Sequence, residues 1–595
     1  MSEEIKKPSI PQATNPLPSR EDAQAKNAIL TFLSELGIQK IVYVDDRCSI
    51  QELKEAYIGK LKALYESKPL ELGFVNWSSP TPIFEKEIVA KWEDSSEDEK
   101  RQLFLSILEF ENNQEELENS VAPLKLKAVL KEKIDLLSPT DWISKKDGLI
   151  NTLKSNSKIL FLFDIEFKHA PLPDGRDGRD LAAELLGNDE IEEFVHCGIF
   201  SHLFDIVSEH DKRNEYCKSH GLAREKFYTI SKKRFDQNSY LPGLAEGIRN
   251  SLLINEVELL KKGASSIIKK SFRNSLKEID DLSPSSFNHI IQRSSKNEGV
   301  WEMATLFRLT DIITSEGALN ALLPSQKRTK INENLEKIRK VEKIKTGGVT
   351  PLDKTHVQRL RKKELYLPST ILNKLHFPIS NGDIFSIEEK EYILLAQPCN
   401  LALRKNGERD RNYDIGFLIC LETISSEIFN KYKKGQLSTF ELIEDTGLEI
   451  DKVKLARFSN FRTVSLSPLD LTVFNTNGMA TIDLGKTAHE SMTIQESWKK
   501  RYKYLHTDFT EFAKGISTFK KLRSLDKVEL EKMVYYGTLF NGYDIKNEKS
   551  LSRSGKKLTF NITRIAHYKA PFSADLLQKF MQYLSRNAFD HDFSN

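Results

Sequence analysis

The stretch KILFLFDIEF, residues 158–167, limits the fold more than any other part of this chain. A strand with one solvated face alternates apolar and polar residues, and Ile159 to Phe163 do not alternate. An uninterrupted apolar run of this length fits a strand covered on both faces, as in a parallel sheet. Parallel neighbours need crossover connections, usually helices, and the flanking sequence supplies them. DAQAKNAILTFLSELG (22–37) has apolar residues at helical spacing and ends on a glycine, which suits a helix C-terminus. IQKIVYVDD follows as a buried strand, IDLLSPTDWI as a shorter one and SKKDGLINTLKSNS as an amphipathic helix. Beyond residue 167, DGRDGRDLAAELLG reads as a glycine-rich loop entering a helix, and EFVHCGIFS (193–201) as a strand. HLFDIVSEHDKRNEYCKSHG then reads as a helix and KFYTISKKRF (226–235) as the last strand. Strand and helix alternating at this spacing predict an α/β fold with a doubly wound, parallel, five-stranded sheet.

At 595 residues the chain is too long for a single core. Residues 1–25, rich in Pro, Ser and Asn, read as a disordered lead-in without the apolar segment of a signal peptide. The sheet is expected over 26–236, with a charged helical insertion at about 51–130. A helical region follows over 237–345. The break TGGVTP (346–351) opens a β-rich barrel or sandwich domain over 346–505, and 506–595 is expected to be mostly helical. Against 86 acidic residues stand 89 basic ones, so net charge gives no global pull toward nucleic acid or membrane. No apolar run reaches the roughly 18 residues of a membrane span. Five cysteines at scattered positions, with no CxxC, predict a reducing cytoplasmic setting and no thiolate zinc site.

Ligands of a doubly wound sheet bind at the carboxyl ends of its strands. Asp45 and Asp46 end the first strand, and Asp164 comes late in ILFLFDIEF. Ser201 closes VHCGIFS, and Lys232 and Lys233 follow FYTIS. An Asp-Asp pair alone is an ordinary solvated turn. Asp164 adds weight to it, because a carboxylate inside an apolar strand is costly unless partnered. Converging carboxylates need a counter-ion, and Mg²⁺, a hard cation with oxygen ligands, suits them. Asp164 would then be a nucleophile for a phosphoryl group, with the hydroxyl and an ammonium on the phosphoryl oxygens.

This arrangement resembles the receiver domain of two-component response regulators, and the resemblance covers about residues 26–236. It implies Asp164 as phosphoacceptor, Ser201 as the switch hydroxyl and a lysine at 232 or 233, with Lys232 preferred. It also implies Mg²⁺ held by Asp45, Asp46, Asp164 and the backbone carbonyl of Glu166. The GRDLAAELL helix is similar to the family's as well. The implied partner is a sensor histidine kinase, and the implied chemistry is phosphoryl acceptance and autodephosphorylation more than conventional turnover. Four features depart from the family. The aspartate pair lies more than twice the usual distance from Asp164. Neither lysine is followed by proline. Thr229 or Ile230 stands where the family has an aromatic, and bulky His202 follows Ser201.

The whole chain is also similar to receiver-bearing proteins of bacterial anti-phage defence of the Detocs type. SKK after the last strand carries that resemblance, with YILLAQPCNLALRKNGERDRN and ITRIAHYKAPFSADLLQKFMQYLSRNAFDHDF. Lacking a recognisable nucleosidase segment, the chain resembles the phosphate-buffering member, with a downstream effector protein as a further partner.

The alternative is a degenerate receiver that serves as a non-catalytic docking platform. Basic residues 327–363 could then meet nucleic acid, although no aromatics interleave them for base stacking and a solvated helix face is the favoured reading. An aspartyl hydrolase of the haloacid dehalogenase kind needs DxD on its first strand, whereas FDIEF gives DxE after the aspartate pair. Cys399 in QPCN, with no histidine near it in sequence, reads as a buried structural cysteine. His289 lies on a helix face with no ligand pattern.

Overall fold

The computed structural model describes residues 20–153, 158–235, 240–348, 354–410, 413–433, 440–443, 452–491, 493–519, 543 and 550–585. Residues 1–19, most of the expected lead-in, lie outside them. The chain divides into two compact units, Met1–Lys270 with Ala318–Leu352, and Ser271–Gly317 with Asp353–Asn595. The helical stretch expected at 237–345 is shared between the two.

In the first unit, β1 (Ile38–Val44), β2 (Ile134–Leu137), β3 (Lys158–Phe163), β4 (Val195–Ser201) and β5 (Phe227–Ser231) form one sheet in the order β2-β1-β3-β4-β5. All four pairings are parallel. The direction of winding reverses at β1, so the edge where β1 meets β3 is the switch point of a doubly wound sheet. The run that suggested burial on both faces is divided between two cores. Leu160 and Leu162 join Ile41 and Tyr43 on one side, while Ile159, Phe161 and Phe163 join Val42 and Val44 on the other. Helices α1 (Arg20–Glu35), α5 (Gln114–Leu130) and the start of α9 (Tyr240–Asp280) cover the first face. Helices α6 (Pro139–Leu153), α7 (Gly178–Leu186) and α8 (Glu209–Ser219) cover the second.

The insertion expected at about 51–130 is two things. Helices α2 (Lys54–Leu64), α3 (Thr81–Asp94) and α4 (Glu97–Phe110) bury Tyr57, Phe84, Trp92 and Phe104 in a core of their own. Helix α5 instead packs Ala122, Leu126, Val129 and Leu130 on the sheet, so it is the crossover from β1 to β2. Composition hides this division, because both parts are charged and helix-favouring.

His196 on β4 is buried, and its Nδ1 lacks a hydrogen-bond partner among the described residues. Burial, aided by Lys226, Lys158 and Lys337, pushes its pKa down to about 3. Below the unfolded value of 6.5 the unfolded chain takes up a proton that the folded chain refuses, so stability falls as pH drops through that window. At pH 5 the loss is about 2 kcal/mol. Replacing His196 by Leu should therefore narrow the gap between unfolding free energies at pH 8 and pH 5, measured by urea titration. An unchanged gap would refute the assignment.

The second unit is built on one antiparallel sheet of nine strands. Its main path runs β10 (Phe440–Ile443), β11 (Lys452–Ser465), β9 (Ile415–Ser425), β8 (Lys390–Leu395), β7 (Asp383–Ile387), β14 (Lys557–Tyr568) and β12 (Met479–Asp483). Strands β6 (Tyr366–Pro368) and β13 (Leu551–Ser554) also pair with β14. One face packs Trp498, Leu505 and Phe509 of the helix Glu496–Phe519, and the other packs Leu576 and Phe580 of the helix Phe572–Leu584. The expected barrel or sandwich is therefore a helix-covered sheet whose end strands β10 and β12 do not pair among the described residues. The expectation that 506–595 is mostly helical also fails at β13 and β14. Leu558, Phe560 and Ile562 are buried while Lys557 and Asn561 are exposed, the period-two pattern of a strand.

Candidate functional site

The carboxyl ends of β1, β3, β4 and β5 carry the predicted constellation. Asp45 follows β1 directly, Asp164 follows β3, Ser201 is the last residue of β4 and Lys232 follows β5. The Asp164 N–H continues the ladder to the Val44 carbonyl at 3.0 Å, which holds the two carboxylates side by side across the switch point. Gly178, the first residue of α7, donates its N–H to the Ile165 carbonyl at 3.2 Å, fixing the backbone just past Asp164. A buried fork from Arg234 to Glu209, 2.7 Å on each arm, fixes the segment after Lys232.

These elements bring together Asp45, Asp46, Asp164, Ser201 and Lys232, all buried. Lys232 Nζ bridges Asp45 Oδ2 at 2.7 Å and Asp164 Oδ2 at 2.6 Å. Its ammonium also lies 5.8 Å from the Tyr43 ring centroid and 5.9 Å from that of Phe200. Asp45 accepts from the Arg47 N–H at 2.9 Å and from the Tyr43 hydroxyl. Asp164 Oδ1 accepts from the Ile165 N–H at 2.8 Å. Ser201 Oγ is buried with no hydrogen-bond partner among the described residues. Lys233 is not brought in: its half-exposed side chain pairs with Asp205. The Glu166 side chain turns outward to Lys168 at 3.2 Å, and no described backbone N–H donates to its carbonyl.

Three further residues complete the pocket, none of them marked by a motif or a periodic pattern. Arg47 Nη1 lies 3.2 Å from Asp46 Oδ1 and 3.5 Å from both Asp45 Oδ1 and Asp164 Oδ2. From the far side, Glu116 of α5 receives Arg47 Nε at 3.1 Å and Nη2 at 3.2 Å. His169 donates its backbone N–H to Asp46 Oδ2 at 2.6 Å, and its Nε2 meets Glu116 Oε1 at 3.2 Å. Glu115 reaches His202 Nε2 at 3.3 Å. The first turn of α5 thus ties down residues that follow β1, β3 and β4. Asp164 is 1% exposed beneath this cover.

The charges are unevenly balanced. Burial opposes ionisation of Asp45, but Lys232 and Arg47 hold its carboxyl well below the usual range. Burial and the neighbouring Asp45 push Asp46 up to about 7, against Arg47 and the His169 N–H. Burial also resists the charge on Lys232, yet Asp164 and Asp45 raise its pKa. Glu116 is held at about 2 despite burial, by His169 and Arg47. Four carboxyl groups, of Asp45, Asp46, Asp164 and Glu116, thus share two basic side chains, Lys232 and Arg47.

Elsewhere, Cys399 is exposed, not buried as its sequence context suggested, and His289 is exposed on its helix. No helix among the described residues is long and apolar enough to cross a membrane. Asp177, Asp180 and His220 approach one another closely enough to ligate an ion, but Asp177 already caps α7 and pairs with Arg179. Comparison of the chain with protein-family models, with curated proteins and with solved structures finds no match.

Proposed function

We propose that the first unit is a receiver-like phosphoacceptor, taking a phosphoryl group on Asp164 from a partner histidine kinase. The single observation that carries this reading is the Lys232 ammonium bridging Asp45 and Asp164 at a switch-point edge, with a buried hydroxyl, Ser201, that has no partner among the described residues, at the end of β4 between the strands that Asp164 and Lys232 follow. An oxygen of Asp164 attacks the phosphorus of a phosphoimidazole, the P–N bond breaks, and its electron pair returns to the imidazole nitrogen. Lys232 offsets charge on the attacked group, and Ser201 donates to a phosphoryl oxygen. The donor set fits Mg²⁺: Asp45, Asp46, Asp164 and the Glu166 carbonyl offer oxygen alone, the ligand a hard divalent cation takes. Bound there, the ion would offset charge on the transferring group. The cover formed by Arg47, Glu116 and His169 has to open for transfer, because Asp164 is buried. Within a defence system of the kind the sequence resembles, such a chain would store phosphoryl groups from a kinase or pass the signal to an effector.

The test is incubation of the full chain with acetyl phosphate and Mg²⁺. Incorporation of one phosphoryl group, labile to hydroxylamine as an acyl phosphate, is expected by intact-mass measurement. Its absence, with a phosphorylated cognate kinase as well, overturns the reading. The sealing of Asp164 favours the second reading in that event, a closed platform that docks a partner without phosphoryl transfer.

A further inference from the structure

We propose that Arg47 is a resident counter-cation of the acidic pocket, which a divalent ion must displace in order to bind. The inference rests on the phosphoacceptor reading and concerns its metal. One guanidinium nitrogen, Nη1, lies within 3.5 Å of carboxylate oxygens from Asp45, Asp46 and Asp164, the three side chains assigned to the ion. A cation shared by those carboxylates would need the space that this nitrogen fills. Like charges at such a distance repel strongly in a buried site.

The guanidinium is not there by default. Its side chain is 1% exposed, and Glu116 grips its other two nitrogens at 3.1 and 3.2 Å. Glu116 is itself tied to His169, whose backbone N–H holds Asp46. Arginine suits the position: its planar fork meets Glu116 with two nitrogens while the third faces inward. An ion that enters must break this chain of contacts, so metal entry and release of the α5 cover are a single event. Arg47 is thus a positioning and selectivity residue, keeping the pocket closed and its carboxylates partnered until a metal competes for them.

The experiment is titration of the full chain with Mn²⁺, followed by electron paramagnetic resonance of the free ion, for wild type, Arg47→Ala and Arg47→Gln. The glutamine keeps polar contacts to Glu116 and guards against loss of folding in the alanine variant; circular dichroism checks both. The neutral variants are expected to bind Mn²⁺ roughly tenfold or more tightly than wild type. Equal or weaker binding by a folded neutral variant overturns the proposal, as does no Mn²⁺ binding by any of the three. Phosphoryl labelling of the wild type separates the two claims. A chain that is labelled, with Mn²⁺ affinity unmoved by Arg47→Gln, sinks the counter-cation and leaves the phosphoacceptor. Tighter Mn²⁺ binding in a chain that is never labelled does the reverse.

Discussion

Asp164→Asn is expected to abolish phosphoryl incorporation from acetyl phosphate, a fall of roughly hundredfold or more, because an amide oxygen is a far weaker nucleophile than a carboxylate. The substitution is nearly isosteric, and the Ile165 N–H can still donate to the amide oxygen. Loss of the negative charge leaves Lys232 with Asp45 as its carboxylate partner, which is why a modest change in stability accompanies the chemical effect. The matched control is Asp174→Asn. Asp174 lies in the loop after β3, its side chain is 49% exposed, and its partner is Arg176. Intact-mass measurement of both variants should show the label lost in the first and kept in the second. A label kept in Asp164→Asn would mean that another residue carries the phosphoryl group.

Gly178→Ala should be the most damaging small substitution in the first unit. A Cβ at this position would stand 1.8 Å from the Asp164 carbonyl oxygen and 2.9 Å from the Phe163 Cβ. Neither atom is the free end of a flexible side chain, so the backbone itself has to move. Overpacking of this kind costs about 3 kcal/mol, the upper part of the usual range. The displaced atoms belong to Asp164 and its strand, so on the proposed function the label yield should fall together with stability. Urea denaturation and acetyl phosphate labelling of the same preparation check both effects. A variant within about 0.5 kcal/mol of wild type would show that the approach of α7 to β3 is looser than described.

The parallel sheet was legible because its signal is local. Ile159 to Phe163 form an apolar run, and each strand ends where a charged or hydroxyl side chain begins. The choice between Lys232 and Lys233 also follows from position, since the residue directly after Ser231 is drawn in and the next one faces Asp205. Arg47 was visible beside the aspartate pair, but nothing local distinguishes a guanidinium turned inward from one in solvent. Glu116 lies 69 residues from Arg47 in sequence, in a stretch whose composition does not show which helix returns to the sheet. Long-range pairings of that kind leave no periodic mark. Strand β14 did leave one, in LTFNIT, but its neighbourhood is dominated by the stronger helical pattern of ADLLQKFMQYL.

The placement of β14 has a consequence for synthesis. It lies inside its sheet, between β7 and the end strand β12, yet among the described strands it comes last in sequence and so follows both from the ribosome. Until Lys557–Tyr568 emerges, β7 is paired on its β8 side alone and leaves its other edge open, and β12 has no strand partner among the described residues. A nascent chain in that condition invites wrong partners and chaperone capture. A ribosome that stops short of residue 557 would therefore release an aggregation-prone fragment, however complete its first unit.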